Sequence, residues 1–85
     1  MPLAVKKFGF TLEVDLHGMM VSEARRELER LLNTADKNVT EIVVIHGYSG
    51  GQALQTLVRK DLRHRRIRQR ILSMNPGVTS LMIQP

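Results

Sequence analysis

The chain has no cysteine and no tryptophan, and its aromatic residues are confined to Phe8, Phe10 and Tyr48. Without cysteine there is neither a disulfide framework nor a thiolate metal site, which removes zinc-ribbon and thiol-redox readings and makes the cytoplasm the expected compartment. Three aromatics do not make a platform for stacking many single-stranded bases, although Tyr48, in a glycine-rich stretch, is placed to stack on one. No apolar run approaches the roughly 20 residues that a bilayer span requires. The opening "MPLAVKKFGF" lacks the apolar core of a signal peptide, so no membrane contact is expected.

Acidic residues are also scarce, but only in one part of the chain. Through Gly51 there are six Lys+Arg against seven Asp+Glu; from Gln52 onward there are seven against one. The excess is concentrated in "RKDLRHRRIRQR", residues 59–70. Such asymmetry is the footprint of a polyanion partner, because every phosphate neutralised releases counterions whatever the base sequence. A nucleic acid, RNA or DNA, or another phosphorylated partner is therefore expected, with Arg59, Arg63 and Arg66 as its phosphate contacts; the alternative reading of the charge is a solvated helix face.

The 85 residues, 42% hydrophobic, suffice for one modest core. "TLEVDLH" alternates, Leu12, Val14 and Leu16 on one face and Glu13, Asp15 and His17 on the other, as in a half-buried strand. After Gly18, apolar residues recur at Val21, Ala24, Leu28, Leu31, Leu32 and Ala35 with helical spacing, with Ser22 or a residue just before it as the cap and "DKN" as the stop. "EIVVIHG" is a continuous apolar run of the kind found in strands covered on both faces. A second helix begins near Gly51 with Leu54, Leu57, Val58 and Leu62 as its stripe and Arg59, Lys60 and Arg63 outward. Asp61 falls within that stripe, which requires an arginine partner at the helix margin or a distortion of the helix. "IRQRILSM", "NPG" and "VTSLMI" read as strand, turn and strand. The expected fold is α/β (α+β): a two-layer β-α-β-α-β-β sandwich, with two helices on one face of a mostly parallel four-stranded sheet. Residues 12–85 form the domain and residues 1–11 an extended N-terminal arm.

Parallel strands end on one rim, where the following helices present free N–H groups that favour anions. If the first two strands are neighbours, Asp15, His17 and His46 gather there, next to the glycines of "HGYSGG", Gly47, Gly50 and Gly51, which allow close backbone approach. Each histidine alone is most simply a hydrogen-bonded strand-end residue. Two His-Gly pairs at equivalent ends argue for a phosphate-sized site.

These motifs resemble those of the Smr (small MutS-related) domain family, over residues 12–84. Val14, Asp15, Leu16, His17 and Gly18 match its Leu-Asp-Leu/Val-His/Arg-Gly motif with one conservative departure. His46, Gly47, Gly51 and Leu54 match its His-Gly-x-Gly-x-Gly-Leu-Arg pattern, with Tyr48, Ser49 and Gln55 departing from the usual lysine, glycine and arginine. Gly77 and Thr79 match its Gly-x-Thr. The resemblance implies an endonuclease in which Asp15 and His17 are catalytic and His46, Gly47 and Gly51 position the substrate; Tyr48 and Gly50, in the same glycine-rich loop, are further candidate substrate contacts on their position in the sequence alone.

Two chemistries compete for such a site. A resident metal needs several ligands about 2 Å away, but Glu13 and His17 are about 13 Å apart along a strand, so a divalent cation would have to be shared with the nucleic acid. RNA transesterification needs only a base for the 2′-hydroxyl, an acid for the leaving oxygen and donors for the phosphate. His17 oriented by Asp15 is the candidate for base or acid, and His46 for the complementary role or for binding the phosphate as an imidazolium, which puts RNA slightly ahead of DNA and requires no cofactor. A non-catalytic nucleic-acid-binding module and a protein-interaction domain are the alternatives. The open structural question is whether His46 faces His17 or the helices.

Overall fold

The computed structural model describes residues 4–47 and 52–85. Its elements are β1 (Ala4–Phe8), β2 (Thr11–Asp15), α1 (Val21–Thr34), β3 (Glu41–Ile45), α2 (Ala53–Thr56) continuing as a π-helical turn (Leu57–Asp61), β4 (Ile67–Leu72) and β5 (Val78–Ile83). They form one five-stranded sheet in the order β1-β2-β3-β5-β4, with helices packed on one face.

This corrects the expected four-stranded, mostly parallel sheet. Only β2 and β3 pair in parallel; β1 with β2, β3 with β5 and β5 with β4 are antiparallel. β4 runs in the same direction as β3, as a crossover demands, but β5 folds back into the space between them. The two strands differ in what they can bury. β5 carries Thr79, Leu81 and Ile83 inward, all buried, whereas β4 carries Arg68 and Arg70 and has a register irregularity between Ile67 and Gln69. Charge and a bulge are what an edge tolerates and a centre does not.

The first eleven residues contribute a strand, because Ala4–Phe8 pairs with β2 through a turn at Gly9 and Phe10, where Gly9 has φ +61. Every residue of β1 is exposed. An edge strand with neither face covered has no reason to alternate, and so its sequence carries little signal. β3 also differs from its reading. Ile42 and Val44 are buried but Val43 and Ile45 only half-buried, since the second face of the sheet carries no helix.

The core joins Leu12, Val14 and Leu16 to Ala24, Leu28 and Leu32 of α1, and to Leu57, Val58 and Leu62 around the π turn. Leu62 donates its N–H to the Leu57 carbonyl at 2.8 Å, five residues back, and this widening resolves the Asp61 conflict. Leu62 stays inside while Asp61 turns to solvent, with no ion pair to an arginine among the described residues. Carbonyls freed near the turn are taken up by Arg70, whose guanidinium donates to Val58 and Leu62.

Candidate active site

β2 does not stop pairing at Asp15: the Leu16 N–H donates to the Ile45 carbonyl at 2.7 Å, and Leu16 is fully buried. Alternation therefore carries Asp15 and His17 together onto the helix-free face, at the rim. Gly18, at φ +82, and a bond from the Met19 N–H to the Leu16 carbonyl then turn the chain into α1. One oxygen, Asp15 Oδ1, accepts both the His17 backbone N–H (3.0 Å) and His17 Nδ1 (2.5 Å). A carboxylate only accepts, so Nδ1 carries the proton, and in the neutral ring Nε2 presents its lone pair outward. The two side chains are 71% and 40% exposed for His17 and Asp15, which leaves Nε2 accessible. Partial burial raises the Asp15 pKa, but the His17 ring and backbone hydrogen bonds together outweigh it and hold the carboxyl below its usual value of 3.8. Asp15 is ionised at neutral pH.

His46 occupies the other face. It continues the parity of Ile42 and Val44, is 3% exposed, and has both ring nitrogens engaged: Nδ1 with the Gly47 carbonyl at 3.0 Å and Nε2 with Thr79 Oγ1 at 2.9 Å. Since the carbonyl must accept, Nδ1 is protonated and the Thr79 hydroxyl donates to Nε2. Arg59 Nε in turn donates to Thr79 Oγ1 at 2.7 Å, and its Nη2 to the Val78 carbonyl at 3.0 Å. Burial pushes the His46 pKa below 6.5, the Gly47 carbonyl opposes this, and the Arg59 charge adds to the lowering. His46 is thus a neutral, internally satisfied residue on the helix side of the sheet, which answers the facing question.

The two histidines meet through Gly47. The His46 and Gly47 N–H groups both donate to the Gly77 carbonyl, at 2.9 and 3.0 Å, which holds Gly47 at φ +79. A Cβ there would lie 3.1 Å from the His17 Cβ. Gly47→Ala therefore combines left-handed strain with a contact against His17, and a destabilisation of about 1–3 kcal/mol is expected in denaturant titration. Gly77 is constrained from the opposite side, as its Cβ would approach Gly47 Cα and C at 3.3 Å. Gln55 ties the same turn to α2 by donating to the Pro76 carbonyl at 2.8 Å.

Of the cations read as phosphate contacts, Arg63 is exposed, whereas Arg59 and Arg66 are committed within the fold. Arg66 is 4% exposed and donates to four backbone carbonyls, those of Leu32, Ala35, Asp36 and Gln84. The π turn explains Arg59, because a helix that widens no longer points its residues where a 3.6-residue period puts them. Arg70 is occupied as well, so the exposed cations of the basic segment are Lys60, Arg63, Arg65 and Arg68. Tyr48, Gly50 and Gly51 lie outside the described residues. The site members that sequence reading missed are Thr79, visible only as part of Gly-x-Thr, and the apolar residues beside His17. There the starts of α1 and α2 flank a cleft of about 760 Å³ that His17, Gly18 and Gly47 border. Among the described residues no group of three or more histidine, aspartate or glutamate side chains converges.

The Smr domain family profile matches residues 14–79, a span that begins at the Asp15–His17 strand and ends at Thr79. The chain belongs to the Smr domain family. Its structure superposes on the crystal structure of the Smr domain of Thermus thermophilus MutS2 with a TM-score of 0.75 and 30% sequence identity, covering 86% of this chain and 98% of that one. No curated protein matches it at a significant level. Smr domains are a family of nucleic-acid-binding and nuclease domains. No helix among the described residues is long and apolar enough to cross a membrane.

A pH dependence of stability follows for this Smr domain from His46. The unfolded chain takes up a proton on His46 near its ordinary pKa of 6.5 while the folded state resists it, so this contribution is intact above about pH 6.5 and is lost as pH falls through the lower folded value. His64, lowered chiefly by burial and also by Arg65 and Arg66, acts with the same sign. Chemical denaturation between pH 7.5 and about pH 5 should show stability declining, with a shallower slope in His46→Gln that His64 keeps from vanishing.

Proposed function

We propose that this Smr domain is an endonuclease that cleaves RNA by transesterification, with Asp15 and His17 as its catalytic pair. The observation that carries this reading is the carboxylate that fixes the proton on His17 Nδ1 and leaves Nε2 free at the mouth of the cleft. Nε2 takes the proton from the 2′-hydroxyl, O2′ attacks phosphorus, and the bond to the 5′-oxygen breaks. The departing oxygen takes its proton from solvent, since His46 is engaged on the buried side. The products are a 2′,3′-cyclic phosphate and a 5′-hydroxyl end. Arg63, with Lys60, Arg65 and Arg68, supplies sequence-independent hold on the backbone.

The test incubates the protein with matched RNA and DNA strands, with and without chelator, and identifies the product ends. RNA cleavage should survive chelation and disappear when the 2′-hydroxyl at the cut is removed. Equal cutting of the deoxy strand, or arrest by the chelator, would overturn the mechanism. Salt-dependent binding without any cleavage would assign the domain as a binding module instead.

A further inference from the structure

The cleft beside His17 has walls whose chemistry does not suit a phosphate. Met19, Met20 and Val21 enter from the start of α1, Leu54 from α2 and Ile45 from the end of β3. No Asp, Glu, Lys or Arg is among the described residues that line it. Met20 is 73% exposed and sits at the N-cap of α1, where it makes no side-chain capping bond. Ser, Thr, Asp or Asn at that position typically stabilises a helix by about 1 kcal/mol over an apolar residue. A methionine there forgoes capping and presents a large polarisable side chain to the cleft mouth.

We infer that this cleft receives one unstacked nucleobase, that of a nucleotide flanking the phosphate held at His17, so that the substrate is single-stranded or locally unpaired nucleic acid. This rests on the reading that a phosphodiester is held at His17. Once it is, whatever enters the cleft is covalently next to it, and the base is the one part of a nucleotide with an apolar face. In a duplex both faces are covered by neighbouring bases; only an unstacked base can place one against methionine and leucine. The volume, about 760 Å³, lies within the range of small-ligand sites. Methionine adapts to flat aromatic surfaces of different size. His46, the lining residue with polar ring atoms beside His17, has both nitrogens engaged internally, so the described walls hold no side chain free to read a base edge apart from His17. The described walls accordingly do not select one base over another.

Equilibrium binding tests this with short strands carrying a 2′-deoxy substitution throughout, in chelator, so that no cleavage intervenes. A single strand is compared with its duplex and with strands in which one abasic site is walked along the chain. Loss of the base at one position should weaken binding about 5- to 100-fold, the single strand should bind more tightly than its duplex, and all four bases should serve at that position. Met20→Ala, a change at an exposed side chain, should weaken the intact strand several-fold and leave the abasic strand unaffected. Indifference to the abasic site at every position, equal affinity for duplex, or an equal effect of Met20→Ala on intact and abasic strands would each overturn the inference. Because binding is read without turnover, a domain that cuts nothing can still pass this test, and a domain that cuts can fail it.

Discussion

Replacing Arg66 with methionine is expected to destabilise the domain by about 3–4 kcal/mol, read from urea unfolding with no change of slope. Methionine keeps most of the apolar stem, so the loss isolates the guanidinium bonds. Those bonds join α1 to the far end of the sheet: Leu32, Ala35 and Asp36 carbonyls at the helix end on one side and the Gln84 carbonyl after β5 on the other. A helix end leaves up to four carbonyls without partners, and buried ones cost about 1–3 kcal/mol each if nothing replaces the donor. Some would be rescued by water, which holds the total below the simple sum. For a domain of this size the whole stability is on the order of 5–10 kcal/mol, so the variant should melt about 15–25 °C lower. Arg66→Lys should recover little of it, because one ammonium cannot reproduce a planar fork that reaches carbonyls on two elements. Retained stability in both variants would mean that solvent, and not Arg66, satisfies the end of α1.

His17→Ala should lower the cleavage rate by about 10²–10⁴-fold under single-turnover conditions while leaving the denaturation midpoint nearly unchanged. The ring is largely exposed and its partners are Asp15 and solvent, so the fold does not lean on it. Asp15→Asn should lower the rate as well, by a smaller factor and for a different reason. An amide can present N–H to Nδ1, which moves the ring proton to Nε2 and removes the lone pair that faces the cleft. Nitrogen chemical shifts of the His17 ring distinguish the tautomers directly. A full rate in His17→Ala would remove the imidazole from the mechanism, whatever the substrate.

The basic segment shows how far a charge count can mislead. Seven cations follow Gln52, and on a regular helix several would line one outward face. In the structure Arg59, Arg66 and Arg70 each donate to groups of their own chain, as far away as 34 residues in sequence for the Arg66 bond to Leu32. Nothing local marks an arginine that serves backbone carbonyls, since its partners come from other elements. The exposed charge of this segment is correspondingly smaller than composition suggests.

The sequence by itself determined the strand that ends in Asp15 and His17, the α1 stripe, the hairpin that turns at "NPG" and the family. Each rests on short-range periodicity or on a motif whose residues are near one another, and those are properties a chain carries with it. Alternation alone put Asp15 and His17 on one face, and the structure adds only that a single carboxylate oxygen joins them. Tertiary structure decided the strand order, because the choice between β4 and β5 as neighbour of β3 depends on which can be buried at the centre. It also decided that His46 faces the helices, since a continuous apolar run such as "EIVVI" shows no preferred face until one side is covered. On the buried side both nitrogens of His46 are engaged, so two His-Gly pairs of similar sequence end in different surroundings: His17 is exposed at the rim, and His46 is bonded to the Gly47 carbonyl and Thr79.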